Sequence, residues 1–506
     1  MFRYLIFLLC SSPVLLSAQL YDYQWVLGIG PNEPVDKEGG TLLDFHNDPV
    51  SISYRPLEPG GRADAFTNIC NAEGVLQLYT NNCSIINNQD IIIQNGNGLN
   101  APGYESQFNC DNSPSGHGYN TRSPFFLPWP GSPDKYVLFQ LRYDFPTTPY
   151  YFYHVESLLY TVISSSAASG QGAIVQKNVL LAKDTLCDML AAVRHGNGRD
   201  WWVVCPQFNS DQSFVCLLTP DGVQGPYLHN TPLKWGGELD NFWWEQAVFS
   251  PNGYRYARAN NRNDIQVFDF DRCTGEFSKP LQLTLPYEAE YTTGLAISQN
   301  SRFVYMTTGL KIYQFDLESN DPQNSRILVA EYDPTDPMST PFNAMQLAPD
   351  GKIYVTNPNG MYLLTVINNP DAPGLACNLV QHGVELPSKI GVWVPNFPNF
   401  RLYDLQDSPC DTLISSMVHI NNNLYVTLSV APNPARDFVK IGYISEQAGL
   451  LQIFDATGRQ TWSQSTEKGS QACQVNINKW PAGFYQVALH SEQDRLVARQ
   501  RFIVIR

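Results

Sequence analysis

A chain of 506 residues is too long for one ordinary domain and has room for a large β domain with a smaller companion. Charged residues make up only 16% and aromatic residues 12%, which excludes a disordered chain, whose hallmark is high charge with little apolar content. The formal net charge of −15 argues against binding a nucleic-acid phosphate backbone.

The first residues read as a secretory signal peptide over positions 1–18. Arg3 gives the positive start, residues 5–9 and 14–16 the apolar stretch, and Leu16-Ser17-Ala18 a small-residue cleavage site before Gln19. Ser11-Ser12-Pro13 interrupts the run, which is shorter than the ~20 apolar residues a membrane-spanning helix needs. Leu9 is too bulky for a lipid-attachment site at Cys10, and no later stretch is apolar enough to span as a helix. Cleavage leaves ten cysteines in an oxidising compartment. WWVVC and SFVCL flank a turn at residues 209–212, and a hairpin centred there sets Cys205 opposite Cys216, so a disulfide is expected, with two buried thiols as the alternative. Cys70 with Cys83 and Cys377 with Cys410 are looser pairings.

No long 3.6-residue periodicity occurs. Short alternating runs between Gly, Pro, Asn and Asp dominate, as an all-β chain requires. Three stretches repeat one unit: AVFSPNGYRYARA (247–259), AISQNSRFVYMTT (296–308) and QLAPDGKIYVTN (346–357). Their turn positions Asn252, Asn300 and Asp350 lie 48 and 50 residues apart. Gly253 and Gly351 supply a positive φ, and Ser301 departs from that pattern. Worn copies stand in AAVRHGNGRDWWVVC, FFLPWPGSPDKYVLFQL and TNICNAEGVLQLYT. A period near 50 with several strands per unit predicts a β-propeller over residues 19–403. Six units fall between about residues 63 and 385. VWVPNFPNFRLYD (392–404) and SISYRP near Ser51 would close a seventh blade from both chain ends; six or eight blades are also compatible, and an array of β-sandwiches is the structural rival.

These units, with SPNG, FDFDRCTGEF and APDGKIYVTN, look like exported propeller proteins of the Bacteroidetes. The run LLTVINNPDAPGLACNLVQHGVELP ending in PNFPNF is similar to their last blades. The resemblance covers roughly residues 66–403 and bears on fold and habitat, because propellers host unrelated functions.

Residues 404–423 are polar without alternation and read as a linker. From residue 424 a second rhythm begins: DFVKIGY, LLQIFDA, RQTWSQ, ACQVNI, FYQVALH and RLVARQRFIVI. About seven short strands in this span predict a small β-sandwich over 424–506. Residues 425–506 carry nine Lys/Arg and six Asp/Glu, a net of +3, against −19 for the remaining mature chain. The segment resembles the type A C-terminal sorting domain of the type IX secretion system in PNPARD (432–437), IFDATGR (453–459), NINKWPAGFYQV (476–487) and the closing FIVIR. Pro432 and Pro434 fix φ and donate no hydrogen bond, Asn433 tolerates a turn, and Asp437 can accept backbone N–H bonds. Asp455 to Gly458 makes a hairpin turn, and Pro481 to Gly483 reverses the chain. Tyr485, Val487 and Leu489 share one strand face. The resemblance implies recognition of the tail by the type IX machinery after passage through the periplasm, its removal, and release or attachment at the cell surface. An ordinary carbohydrate-binding or spacer sandwich is the alternative. Asp184-Thr185-Leu186 and Asp411-Thr412-Leu413 match a short O-glycosylation pattern of this bacterial group.

No G-x-S-x-G elbow, H-E-x-x-H helix, phosphate-cradling G-x-x-x-x-G-K loop or C-x-x-C pair occurs. His195 in RHGNGRDWW could act as a base at a propeller mouth, or simply belong to a blade turn; His117 sits in a Gly/Ser loop. Asp269 and Asp271, two apart in VFDFD, would suit calcium or an acid/base pair. Asp316 recurs at the corresponding place, which points to a strand-end turn instead. Asp333 and Asp336 fit a loop calcium site or turn chemistry equally. Trp201 and Trp243, within WW and FWW, would stack on sugars or pack between blades. The leading expectation is a secreted or surface-attached propeller that binds a glycan or protein ligand without catalysis and without a cofactor. A hydrolase or lyase with carboxylates at the mouth, and a structural surface component, are the alternatives.

Overall fold

The computed structural model describes residues 19–29, 39–57, 67–101, 110, 124–144, 154–236, 245–260, 264–286, 293–334, 340–360, 362–405, 408, 410, 427–431, 435–445, 448–455, 459–481, 483–491 and 496–504. The signal segment, His117, Asp336 and Trp243 lie outside them. The chain divides into two units, Met1–Ser408 and Pro409–Arg506, and both are built of antiparallel strands.

In the first unit, seven meanders follow one another among the described residues. The first, residues 24–55, has three strands; those at 67–97, 125–186, 191–235, 245–283, 294–331 and 345–385 have four each. The second and third join edge to edge through a parallel pairing of Gln94 with Ala173. First strands of successive meanders lie side by side from the first through the third and from the fourth through the seventh. Apolar residues alternate to both faces of each sheet because each face meets a neighbour. One cluster between the fifth and sixth meanders thus gathers Ala257, Ile265, Val267, Leu295, Val304, Met306 and Phe315. Each such buried Val, Leu or Phe contributes about 1.5–3 kcal/mol of apolar burial.

The repeat is visible as hydrogen bonding. In five copies the third residue after the turn opens donates back to its start: Gly253 to Ser250 (2.8 Å), Ser301 to Ser298 (2.8 Å), Gly351 to Ala348 (3.0 Å), Gly74 to Asn71 (3.0 Å) and Gly198 to His195 (2.9 Å). That residue always has positive φ, from 63° to 86°. Four copies meet the need with glycine; Ser301 meets it at φ 63°. Its Oγ accepts the Asn252 N–H at 3.0 Å, tying the fifth meander to the sixth. One such bond, worth about 1 kcal/mol, offsets the ~1–2 kcal/mol a side chain costs in the left-handed region.

Two expectations are corrected here. Residues 392–404 make no ladder strand. The three strands of the first meander come from the N-terminal region, with Ser51–Arg55, the strand read from SISYRP, outermost. The C-terminal segment lies beside that meander through one backbone bond, Gly391 N–H to the Gly28 carbonyl (3.2 Å), and a Thr41–Ser388 hydroxyl contact (2.8 Å). Pro395 and Pro398 remove the donors a ladder would use. The Cys205–Cys216 disulfide is also absent: both thiols are free and fully buried. The hairpin centres one position earlier than expected, so Cys205 faces Phe214 and Cys216 faces Val203. Cross-strand diagonal neighbours sit about 7–8 Å apart, beyond disulfide reach. Cys70 and Cys377 are likewise free, Cys83 bonds Cys110, and Cys273 and Cys410 are the other disulfide-bonded cysteines.

Among the described residues the second unit is a sandwich of seven strands. A three-stranded sheet (Thr427–Ala431, Phe438–Ser445, Gly469–Asn476) faces a four-stranded one (Gln460–Thr466, Gly449–Asp455, Gly483–Ser491, Leu496–Val504). Val439, Ile441 and Val475 meet Leu451, Ile453, Val487 and Phe502 between them.

Candidate functional site

The axis of the first unit is where a propeller offers a channel, and here residues 388–405 occupy it. Asn396 Nδ2 donates to the Leu190 carbonyl (2.9 Å), Asn399 Nδ2 to Pro251 (2.6 Å), and Asn343 Nδ2 to Val392 (2.6 Å). Arg401 forms a two-pronged pair with Asp22 at 2.6 and 2.9 Å. Arg194 donates to the Phe400 carbonyl (3.2 Å) and to the Gln19 side chain, and Arg272 donates to the Tyr403 carbonyl (2.7 Å). Burial pulls both guanidinium pKa values down to about 10. The cavity left beside this segment, lined by Ala192, Phe249, Ile297, Leu347 and Arg401, measures ≈ 60 Å³. That admits a few waters, far below the ~300 Å³ of a small-molecule pocket.

At the other end of the inner strands, Glu245 is fully enclosed. Its Oε1 accepts from Trp235 Nε1 (2.9 Å) and Asn260 Nδ2 (3.0 Å), while Oε2 has no partner. Burial pushes its pKa up to about 7; the two hydrogen bonds and Arg258 oppose the shift, and Asp188 adds to it. A carboxyl tuned in this way suits acid/base chemistry. The adjoining cavity is only ≈ 10 Å³, about one water. No sequence motif marked Glu245; its only signal was its place opening the strand EQAVF.

The residues singled out from the sequence fall in different places. Trp201 is fully buried, edge-on to Phe400 and 4.3 Å beneath the Arg194 guanidinium, so it packs between sheets and cannot meet a sugar. Trp202 points to the opposite face and donates Nε1–H to the Arg272 carbonyl (2.8 Å). His195 belongs to its turn. Nδ1 accepts the Asn197 N–H (3.0 Å), leaving Nε2 to donate to the Cys273 carbonyl (3.2 Å), and burial lowers its pKa. Asp269 pairs with Lys279 (2.7 Å), and Asp271 accepts the N–H groups of Cys273 (2.7 Å) and Thr274 (3.3 Å). Asp316, at the corresponding strand end, is held by Arg302 at 2.7 Å, which lowers its pKa. These bonds are turn and strand-end chemistry. Among the described residues no group of three or more His, Cys, Asp or Glu converges as a metal site. Asp269 and Asp271 do both line an open depression of ≈ 530 Å³, together with Tyr254, Arg255 and Glu318.

In the tail, Pro432, Asn433, Pro434 and Gly458 lie outside the described residues. Asp437 does not accept through its carboxylate: the side chain is exposed, and its backbone carbonyl takes the Ile477 N–H (2.9 Å). Asp455 closes its hairpin, accepting the Arg459 N–H on Oδ1 (3.0 Å) and pairing Oδ2 with Arg459 Nε (3.0 Å). Tyr485 donates its hydroxyl to the Pro481 carbonyl (3.0 Å), two residues before Gly483, and stacks on Phe502. Tyr485, Val487 and Leu489 are all buried, as their shared face predicts.

No curated protein sequence matches the chain. Similar solved structures include a putative 6-phosphogluconolactonase from Bacteroides uniformis, at 12% identity over 74% of this chain and 98% of that one, TM-score 0.44. The Dos1 propeller is similar at 13% identity over 76% and 93%, TM-score 0.34. Sqt1 of Chaetomium thermophilum, solved with the N-terminus of ribosomal protein L10, is similar at 13% over 68% and 84%, TM-score 0.37. No helix of the described residues is long and apolar enough to cross a membrane. Residues 429–505 match the family described as the secretion system C-terminal sorting domain, which makes the small sandwich a sorting domain and supports the type IX resemblance.

Proposed function

We propose that this protein is a seven-bladed propeller of bacteroidete type. On this reading the N-terminal signal takes it to the periplasm, and its tail engages the type IX machinery. It ends secreted or held on the outer cell surface, where the propeller binds a glycan or protein ligand without catalysis. The observation that carries the reading is the sorting-domain match at 429–505 on a sandwich with its own core. The opposite net charges of tail and propeller support a division into cargo and address. Deleting residues 425–506 tests it: the truncated protein is expected to accumulate in the periplasm. Its arrival in the medium at the level of the full chain would refute the export reading.

Binding on an outer surface of the ring is favoured by the contrast between the small axial cavities and the open ≈ 530 Å³ depression. The alternative, a hydrolase or lyase with mouth carboxylates, draws on Glu245 and its raised pKa. The ≈ 10 Å³ beside that carboxyl counts against it.

A further inference from the structure

The open depression lies between the fifth and sixth meanders. Tyr254 lines it and is 51% exposed, one of four described tyrosines left about half bare. Its backbone is fixed, because Asn252 Oδ1 accepts the Tyr254 N–H at 3.1 Å. Acceptors and donors line the same depression. Asp271 is oriented by two backbone N–H groups on Oδ1, and Glu318 is exposed. Arg255 and the exposed Ser278 supply donors on the same wall. A volume of ≈ 530 Å³ falls within the ~300–1,000 Å³ of small-molecule sites.

A pyranose has an apolar C–H face, which matches an aromatic ring, and a rim of hydroxyls that each donate and accept. A half-exposed ring in a depression that also holds carboxylates, a guanidinium and a hydroxyl offers both. The charges narrow the class further. Asp269, Asp271, Asp316 and Glu318 outnumber Arg255, Lys279 and Arg302 by one, so the local field disfavours a uronic acid or sulfated sugar and tolerates an amino group.

Resting on the reading of the propeller as a binding protein, we propose that this depression holds a pyranose of an uncharged or amino-bearing glycan. The sugar stacks on Tyr254, with its hydroxyls bridging Asp271, Glu318 and Arg255.

The test uses the full chain on an array of chitohexaose, cellohexaose, mannohexaose, a glucosamine hexamer and oligogalacturonate, with titration calorimetry on any positive. Binding to an uncharged or amino hexamer is expected. Tyr254→Ala should weaken it by about tenfold or more, and Tyr254→Phe should leave it within about threefold. Because the ring is half exposed, neither variant should shift the thermal midpoint. Sugar binding that survives Tyr254→Ala, or a preference for oligogalacturonate, overturns the site while leaving the binding reading intact. If no sugar binds, fluorescently labelled protein is added to intact bacterial cells. Retention there would refute the sugar alone, and no retention would refute the broader reading as well.

Discussion

The propeller and the C-terminal sandwich are both antiparallel β structures, yet their stabilising contacts differ in sequence reach. In the sandwich, one apolar cluster between two sheets holds seven strands that are close in sequence. In the propeller, the contacts at the axis join chain ends. Asp22 meets Arg401 across 379 positions, and Arg194 reaches both Gln19 and Phe400. The sandwich is therefore a locally coded module that can be appended to a cargo. The ring adds to its apolar clusters polar contacts between residues far apart in the chain.

The largest expected effect separates the two outright. Removing residues 425–506 should abolish appearance in the medium, measured by immunoblot of periplasmic and medium fractions. The propeller's own thermal transition should be unchanged, and a large drop would break the contrast. Next comes Asp22→Ala, which leaves Arg401 without its carboxylate among buried surroundings and should cost the ring about 3 kcal/mol by urea unfolding. Tyr485→Ala, which removes the ring stacked on Phe502, should cost the sandwich about 3 kcal/mol and lower only its own calorimetric transition. If either substitution moved both transitions equally, the two units would be one cooperative block.

Glu245 sharpens the propeller side through pH. Its folded pKa of about 7 lies above the ordinary 4.5, so its protonated form is favoured in the fold. The associated stability is complete below pH 4.5 and is lost as pH rises through 7, amounting to roughly 3 kcal/mol by pH 8. Glu245→Gln should remove that slope, read as urea midpoints at pH 5 and pH 8; a slope unchanged in the variant would assign it to other groups. The smallest effects concern two turn glycines. At Gly253 an added Cβ would lie 2.8 Å from Arg272 Cδ and 2.9 Å from Leu402, at φ 76°. At Gly351 nothing lies within 4 Å. Gly253→Ala should cost about 2 kcal/mol or more and Gly351→Ala about 1 kcal/mol. Equal costs would mean that the closing segment yields at Leu402.

Local features were legible in advance. The turns at Asn252, Asn300 and Asp350, the alternation that buries Tyr485, Val487 and Leu489, and the Asp455 hairpin depend on residues a few positions apart. Their physics of φ preference and two-residue periodicity is written in short stretches. Packing between blades was one of two readings for Trp201, and only the fold chose it, because a strand aromatic is exposed or buried according to what the neighbouring sheet brings, here Phe400 from the far end of the chain. Glu245 carried no motif, since its raised pKa arises from burial in the assembled fold, against the opposing Trp235 and Asn260 hydrogen bonds. The depression around Tyr254 needed two meanders side by side before Glu318 of the sixth joined Tyr254, Asp269 and Asp271 of the fifth.

By itself, then, the sequence determined an all-β chain and the repeating strand–turn–strand unit, because each is set by near neighbours in the chain; the sorting character of its tail came from family resemblance. The tertiary structure decided which cysteines pair and how the ring closes. One register step moves every cross-strand partner by two residues, so Cys205 lost Cys216 to a hairpin centred one position earlier. Two prolines turned an expected closing strand into an extended filling of the axis, held by side-chain amides and arginines whose partners no local pattern names.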